Sequence, residues 1–212
     1  RRCRSGHRGE SMTVERGQDW GGRDAIPDDA VMVATNAELR SVVAAARRAN
    51  EPIPHVALRG GDLCRTLGGR GDAVPGGTGT RVLVDVGSVL LDGSLHWFAA
   101  HLVARSAWGV GRWWVAANAA HHGSWNLAPK AHPGDGLLDV LDGNLRPAAQ
   151  IAAWRRLRGG DHVPHPDIGY RRLPAVQVTF ERPLTVRLDG EVMGRVRDLS
   201  VRIEPEALSL TV

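Results

Sequence analysis

Lysine is almost missing from this chain: of its 27 basic residues only Lys130 is not arginine. Cysteine occurs twice, phenylalanine twice and tyrosine once, against seven tryptophans. Cys3 and Cys64 are too few, and too unlike in setting, to build a disulfide framework, which fits a reducing cytoplasm. No apolar run is long enough for a bilayer-spanning helix, and no apolar stretch follows the arginine-rich start, so neither a span nor a secretory signal is expected. With 27 basic against 23 acidic side chains the charge is only mildly positive. No basic stripe is interleaved with aromatics, which argues against nucleic acid as a partner. Scattered arginines suit an anionic membrane surface. The expectation is a cytoplasmic protein able to sit peripherally on the inner membrane face, with homo-oligomerisation left open.

Residues 1–30 are polar and rich in Gly and Arg, and read as a flexible arm. Val31-Met32-Val33-Ala34 begins a short buried strand. Thr35-Asn36-Ala37-Glu38 is a capping box, and the helix it opens runs to Ala49 with Leu39, Val42, Val43 and Ala46 on one face. Pro52 and Pro54 close it. His55 to Leu58 is a second strand and Asp62 to Leu67 a short helix, so residues 31–75 form a βαβα unit of the parallel, nucleotide-binding type. Pro75 to Gly79 reads as a linker.

From residue 76 the pattern turns to strands, and 76–212 is expected to be mainly antiparallel. Arg81–Val86 and Val89–Ala99 alternate around a tight Asp92-Gly93 turn, and Arg112–Ala119 is another strand. A helix falls near Pro147 to Leu157. Two hairpins, Val176–Val196 and Leu199–Val212, end the chain. The expected fold class is therefore α+β.

Candidate chemistry concentrates between Trp125 and Val140. Pro129 and Pro133 forbid a helix, Gly134-Asp135-Gly136 forces a turn, and Leu137 to Val140 restarts a buried strand. Asp135 can offer a carboxylate to Mg²⁺ or Ca²⁺, helped by the backbone carbonyls of His132 and Leu137, since such ions want oxygen ligands. An ordinary Asp-Gly turn has the same spacing. His162 and His165 lack a third ligand and read as loop histidines, as do His121 and His122. Trp97, Trp108, Trp113, Trp114 and Trp125 either line an acyl-chain pocket or belong to the core.

The run His132-Pro133-Gly134-Asp135-Gly136-Leu137-Leu138-Asp139-Val140, with Leu188-Asp189-Gly190-Glu191 downstream, resembles the paired signature of bacterial diacylglycerol kinase-like lipid kinases. Gly61-Asp62-Leu63-Cys64-Arg65-Thr66-Leu67-Gly68 is similar to a third segment of that family, and the three occur in the family's order. The resemblance implies a β-sandwich after residue 76. It implies ATP and Mg²⁺ as cofactors, a lipid substrate, and transfer of the γ-phosphoryl to the hydroxyl of diacylglycerol or a related lipid. It makes Glu191 the general base, and Asp62 and Asp85 the acids that organise Mg²⁺. It places a structural Mg²⁺ at Asp135. The base should then face the cleft between the two parts and lie close to Asp62 and Asp85.

The family's glycine-rich phosphate loop falls here on Ala34 to Glu38, with Thr35 and Asn36 at its centre and Gly60 and Gly61 on the facing loop. Every glycine of the first loop is gone, and Glu38 sets a negative charge where phosphate should sit. A catalytically inactive, lipid-binding or regulatory relative that no longer binds ATP is the rival expectation.

Overall fold

The computed structural model describes residues 21–106, 111–163 and 165–212. Most of the expected arm, Cys3 and Trp108 lie outside the described residues. Part of the expected arm is a strand: β1 (Gly21–Ala25) pairs antiparallel with the start of β4 (Thr78–Leu91), which its polarity does not suggest. Next come β2 (Val31–Val33), α1 (Asn36–Ala49), β3 (Val56–Leu58) and α2 (Gly61–Thr66). The capping box forms, shifted by one residue. Thr35 Oγ1 accepts the Glu38 amide at 3.1 Å while the Glu38 carboxylate turns back to the Ala34 amide at 2.7 Å. Asn50, left-handed at φ 56°, closes α1.

After β4 the chain forms β5 (Ser94–Phe98), β6 (His101–Arg105), β7 (Gly111–Ala117), a small hairpin of β8 (His121–His122) and β9 (Trp125–Asn126), and β10 (Leu138–Leu145). Then follow α3 (Pro147–Arg156), β11 (Ile168–Leu173), β12 (Ala175–Leu188) and β13 (Glu191–Thr211). Leu199–Val212 is not a second hairpin. It continues β13, which absorbs Pro205 and a left-handed Glu206 in a bulge between Glu204 and Leu208 and goes on pairing with β4.

The fold class is α+β, a mainly antiparallel β-sandwich-type domain carrying a small α/β part. β2 and β3 pair in parallel, and β3 joins the main sheet through a parallel register with the end of β13, Val56 opposite Leu210. One apolar cluster spans that junction: Val33, Leu39, Val43 and Leu58 pack with Val84, Val86, Trp97 and Leu208. β7 and β10 are buried on both faces. Trp114, Ala116, Leu138 and Val140 point into one cluster, Val115, Ala117 and Leu141 into another with Leu127 and Leu157, the period-2 alternation of a strand between two layers.

Gly87 lies opposite the fully buried Phe98 in the β4–β5 ladder, and a Cβ there would stand 2.2 to 2.6 Å from atoms of the ring. Gly87→Ala should therefore cost about 1–3 kcal/mol by overpacking. Thermal unfolding should show the midpoint several degrees lower, and an unchanged midpoint would mean that the ring has room to move.

Candidate functional site

α1 and α2 meet at their N-termini, and Asn36 makes the joint. Its amide nitrogen donates to Asp62 Oδ2 at 3.0 Å and its carbonyl oxygen accepts the Leu63 amide at 3.3 Å. An aspartate at that position would set two carboxylates against each other; asparagine supplies the missing donor. Asp62 Oδ1 accepts the Gly123 amide at 2.7 Å, and Arg65 reaches the Gly123 carbonyl at 2.6 Å, so the β8–β9 hairpin is clipped onto α2. Asp62 Oδ2 lies 3.5 Å from His122 Nδ1 and 3.7 Å from His101 Nδ1. Burial pushes the Asp62 carboxyl up, but contacts with His122 and the Gly123 amide outweigh it and leave it below the usual carboxylate range.

His101 is fully buried, and burial lowers it to about 4, so the ring is neutral. Its Nε2 faces the Ala119 carbonyl at 2.9 Å. A carbonyl only accepts, so Nε2 carries the proton and Nδ1 presents its lone pair.

Asp189 and Gly190, at φ 50° and 92°, form the turn between β12 and β13. The Asp189 carboxylate is buried and accepts three amides from the β5–β6 corner: Ala99 at 2.7 Å, Ala100 at 2.8 Å and His101 at 2.9 Å. Glu191 leaves this turn toward α1 and pairs with Arg40, a buried residue of that helix. The side chain expected as a general base is thus turned toward the α/β part, and its charge is met by a guanidinium.

Asp85 keeps other company. Its carboxylate accepts the Gly136 amide at 2.8 Å and the Glu206 amide at 2.9 Å, and burial pushes it up while Asp135 and Glu206 are the acids it feels. It ties the Gly134-Asp135-Gly136 turn to the bulge of β13.

At Asp135 the structure differs from the metal loop expected. Oδ1 accepts the Leu137 amide at 3.0 Å, the closure of an Asx turn, and Oδ2 pairs with Arg172, which also approaches Asp139 Oδ2 at 3.4 Å. Arg172 stands opposite Asp139 across the β10–β11 ladder, so the guanidinium neutralises both acids. The His132 carbonyl faces the Asp135 amide, and the Leu137 amide is bound to Asp135 Oδ1. These groups do not fit an oxygen cage for Mg²⁺.

Nor does the Ala34–Glu38 loop fit a nucleotide triphosphate. The Ala34 and Glu38 amides are taken by Glu38 and Thr35. A Cβ on Gly60 would meet the Ala34 carbonyl at 2.6 Å, and one on Gly61 the Asn36 side chain at 2.5 Å. Glycine lets the two loops close on each other instead of opening a phosphate cradle.

Beyond His122 the second face of β6, β7 and β10 borders a cavity of about 530 Å³ under α3. Val115, Leu127, Leu145, Ala153, Leu157 and Ile168 make its walls, with Trp113, Trp125 and Trp154 beside them. Arg105, His122, Gln150, His162 and Arg187 are its polar lining, and Gly190 borders it. Trp113 and Trp125 thus line a pocket, while Trp97 and Trp114 are core. His162 is buried with its Nε2 on the Leu127 carbonyl at 3.0 Å. Arg40, His101, His122 and Asp189 were not legible as site residues, because their partners come from distant elements; only the Asp189-Gly190 turn left a local trace.

A family model described as "YegS C-terminal NAD kinase beta sandwich-like domain" matches residues 88–212. Among solved structures the chain is similar to a protein titled a "putative diacylglycerol kinase" from Bacillus anthracis str. Sterne. The TM-score is 0.61 at 14% identity, covering 86% of this chain and 76% of that one. A second structure, titled a diacylglycerol kinase from the same organism, gives 0.53 at 14% identity, with 75% and 67% covered. At such identities the likeness shows the fold. Comparison with the curated proteins finds no match.

Proposed function

Because the chain belongs to the YegS C-terminal NAD kinase beta sandwich-like family, we propose that it is a lipid-kinase relative that binds a long-chain lipid alcohol of the diacylglycerol type and holds no ATP on its own. One observation carries this reading: the mostly apolar cavity of about 530 Å³ whose lining includes His122 and Gly190. That volume lies within the range of small-molecule pockets, and its lining is mostly hydrocarbon and indole, which suits acyl chains. The polar side chains in that lining suit a headgroup hydroxyl. Ile151 and Trp154 stand exposed on α3 next to Arg155 and Arg156, a combination that supports peripheral contact with an anionic membrane from which lipid enters. No helix among the described residues is long and apolar enough to cross a membrane.

The ATP-dependent kinase reading, with the hydroxyl of diacylglycerol or a related lipid as acceptor and Glu191 as base, has one observation in its favour. Gly190 lines the cavity and Glu191 is the next residue of the chain, its carboxylate paired with Arg40. Against it stands the closed Ala34–Glu38 loop. Thermal unfolding with Mg·ATP separates the two, because a ligand of the folded state raises the midpoint with concentration. The midpoint is expected to stay flat up to millimolar Mg·ATP, with no labelled phosphate reaching diacylglycerol. A rise at micromolar Mg·ATP, with lipid labelling that Glu191→Gln abolishes, would establish the kinase reading instead.

A further inference from the structure

We propose that Asp62, His101 and His122 form a binding site for one divalent transition-metal ion of the zinc class. Each of the three offers a ligand atom within 4.8 Å of the others', and they are the one such group of three among the described residues. Ligands held at about 2.0–2.1 Å in a tetrahedron stand about 3.3 Å apart, and the two Asp62 to histidine separations are 3.5 and 3.7 Å. Both Asp62 to histidine separations thus lie within about half an ångström of that spacing.

The orphaned nitrogen of His101 points to an occupant. Its side chain is 1% exposed and its Nδ1 has no hydrogen-bond partner. With Nε2–H committed to the Ala119 carbonyl, the Nδ1 lone pair faces an anionic oxygen, and two electron-rich atoms repel unless a cation lies between them. A proton on His122 would pair with Asp62 but leave this nitrogen unsatisfied. The supports around the ligands are those of a metal centre. The Ala119 carbonyl fixes the ring tautomer of His101, while the Gly123 amide and the Asn36 side chain hold both oxygens of Asp62. Two imidazoles with one carboxylate select zinc, cobalt, nickel or iron over Mg²⁺, whose preference is for oxygen. Three protein ligands leave a coordination position open, and His122 also borders the apolar cavity.

The test uses untagged full chain stripped with chelator and titrated with Zn²⁺ by calorimetry, with Co²⁺ as an optical probe of imidazole ligation. One ion per chain is expected, and intense visible cobalt bands. His122→Ala and Asp62→Asn should each weaken binding by at least ~100-fold, since even supporting residues around a metal cost 10–100-fold, and should lose the cobalt bands while the circular dichroism is kept. If His122→Ala fails to fold, Asp62→Asn decides. Absence of stoichiometric binding, or an ion held equally well by the variants, would overturn the proposal.

Discussion

Replacing Asp189 by alanine is expected to lower the thermal midpoint by on the order of 10 °C. The carboxylate takes the amides of Ala99, Ala100 and His101 in the β5–β6 corner, and the substitution leaves all three buried donors without acceptors. Each buried unsatisfied group costs about 1–3 kcal/mol, so the loss is at least ~3 kcal/mol, at roughly 2–4 °C per kcal/mol for a chain of this size. Asp189→Asn keeps one acceptor oxygen and should fall between alanine and wild type.

The same residue should give a pH signature. Burial raises the Asp189 carboxyl from an ordinary 3.8 to about 6, against the pull of its three amides. The folded state therefore binds more protons than the unfolded one between those values, and this residue's contribution to stability declines as pH rises from about 4 to about 6. The full change is about 3 kcal/mol at ~1.4 kcal/mol per pKa unit. Comparing Asp189→Asn with wild type isolates it, because other titrating groups cancel in the difference: the wild-type advantage over Asn is expected to be largest at pH 4 and to shrink toward pH 6.5. An advantage that grows with pH would mean that the amides, not burial, govern this carboxyl.

What the sequence could reveal was local. Thr35-x-x-Glu38 encodes its own cap within one turn of chain, and Asp92-Gly93 and Asp189-Gly190 encode tight turns, so α1 and two of the hairpins were readable. β13 was not, because Pro205 reads as a break in one dimension, whereas the sheet absorbs it as a bulge and resumes its register at Leu208. β1 was hidden by polar side chains; pairing with β4 orders it. The site divides the same way. Asp62 and Glu191 stood out through family resemblance, yet what sits beside them does not. Arg40 on α1 and Glu191 at the start of β13 are 151 residues apart in sequence, and Asp62 on α2 meets His122 from the β8–β9 hairpin and His101 from the start of β6. Asp135 had the right neighbours for a cation, and Arg172 on the adjacent strand supplied one as a guanidinium.

Filling the cavity should have the largest effect on binding. Ala153 lies on the inner face of α3, buried and lining the cavity, while its neighbour Ala152 on the same helix is exposed. An indole at 153 occupies space that acyl chains would take; an indole at 152 changes composition equally but meets solvent. Equilibrium binding of radiolabelled diacylglycerol, presented in detergent micelles to wild type, Ala153→Trp and Ala152→Trp, is therefore the measurement closest to the lipid-binding reading. Wild type and Ala152→Trp are expected to bind one lipid per chain with the same affinity, and Ala153→Trp at least ~10-fold more weakly, a loss of ~1.4 kcal/mol or more, while remaining folded. Saturable binding that Ala153→Trp leaves untouched, or no binding by the wild-type chain at all, would contradict it.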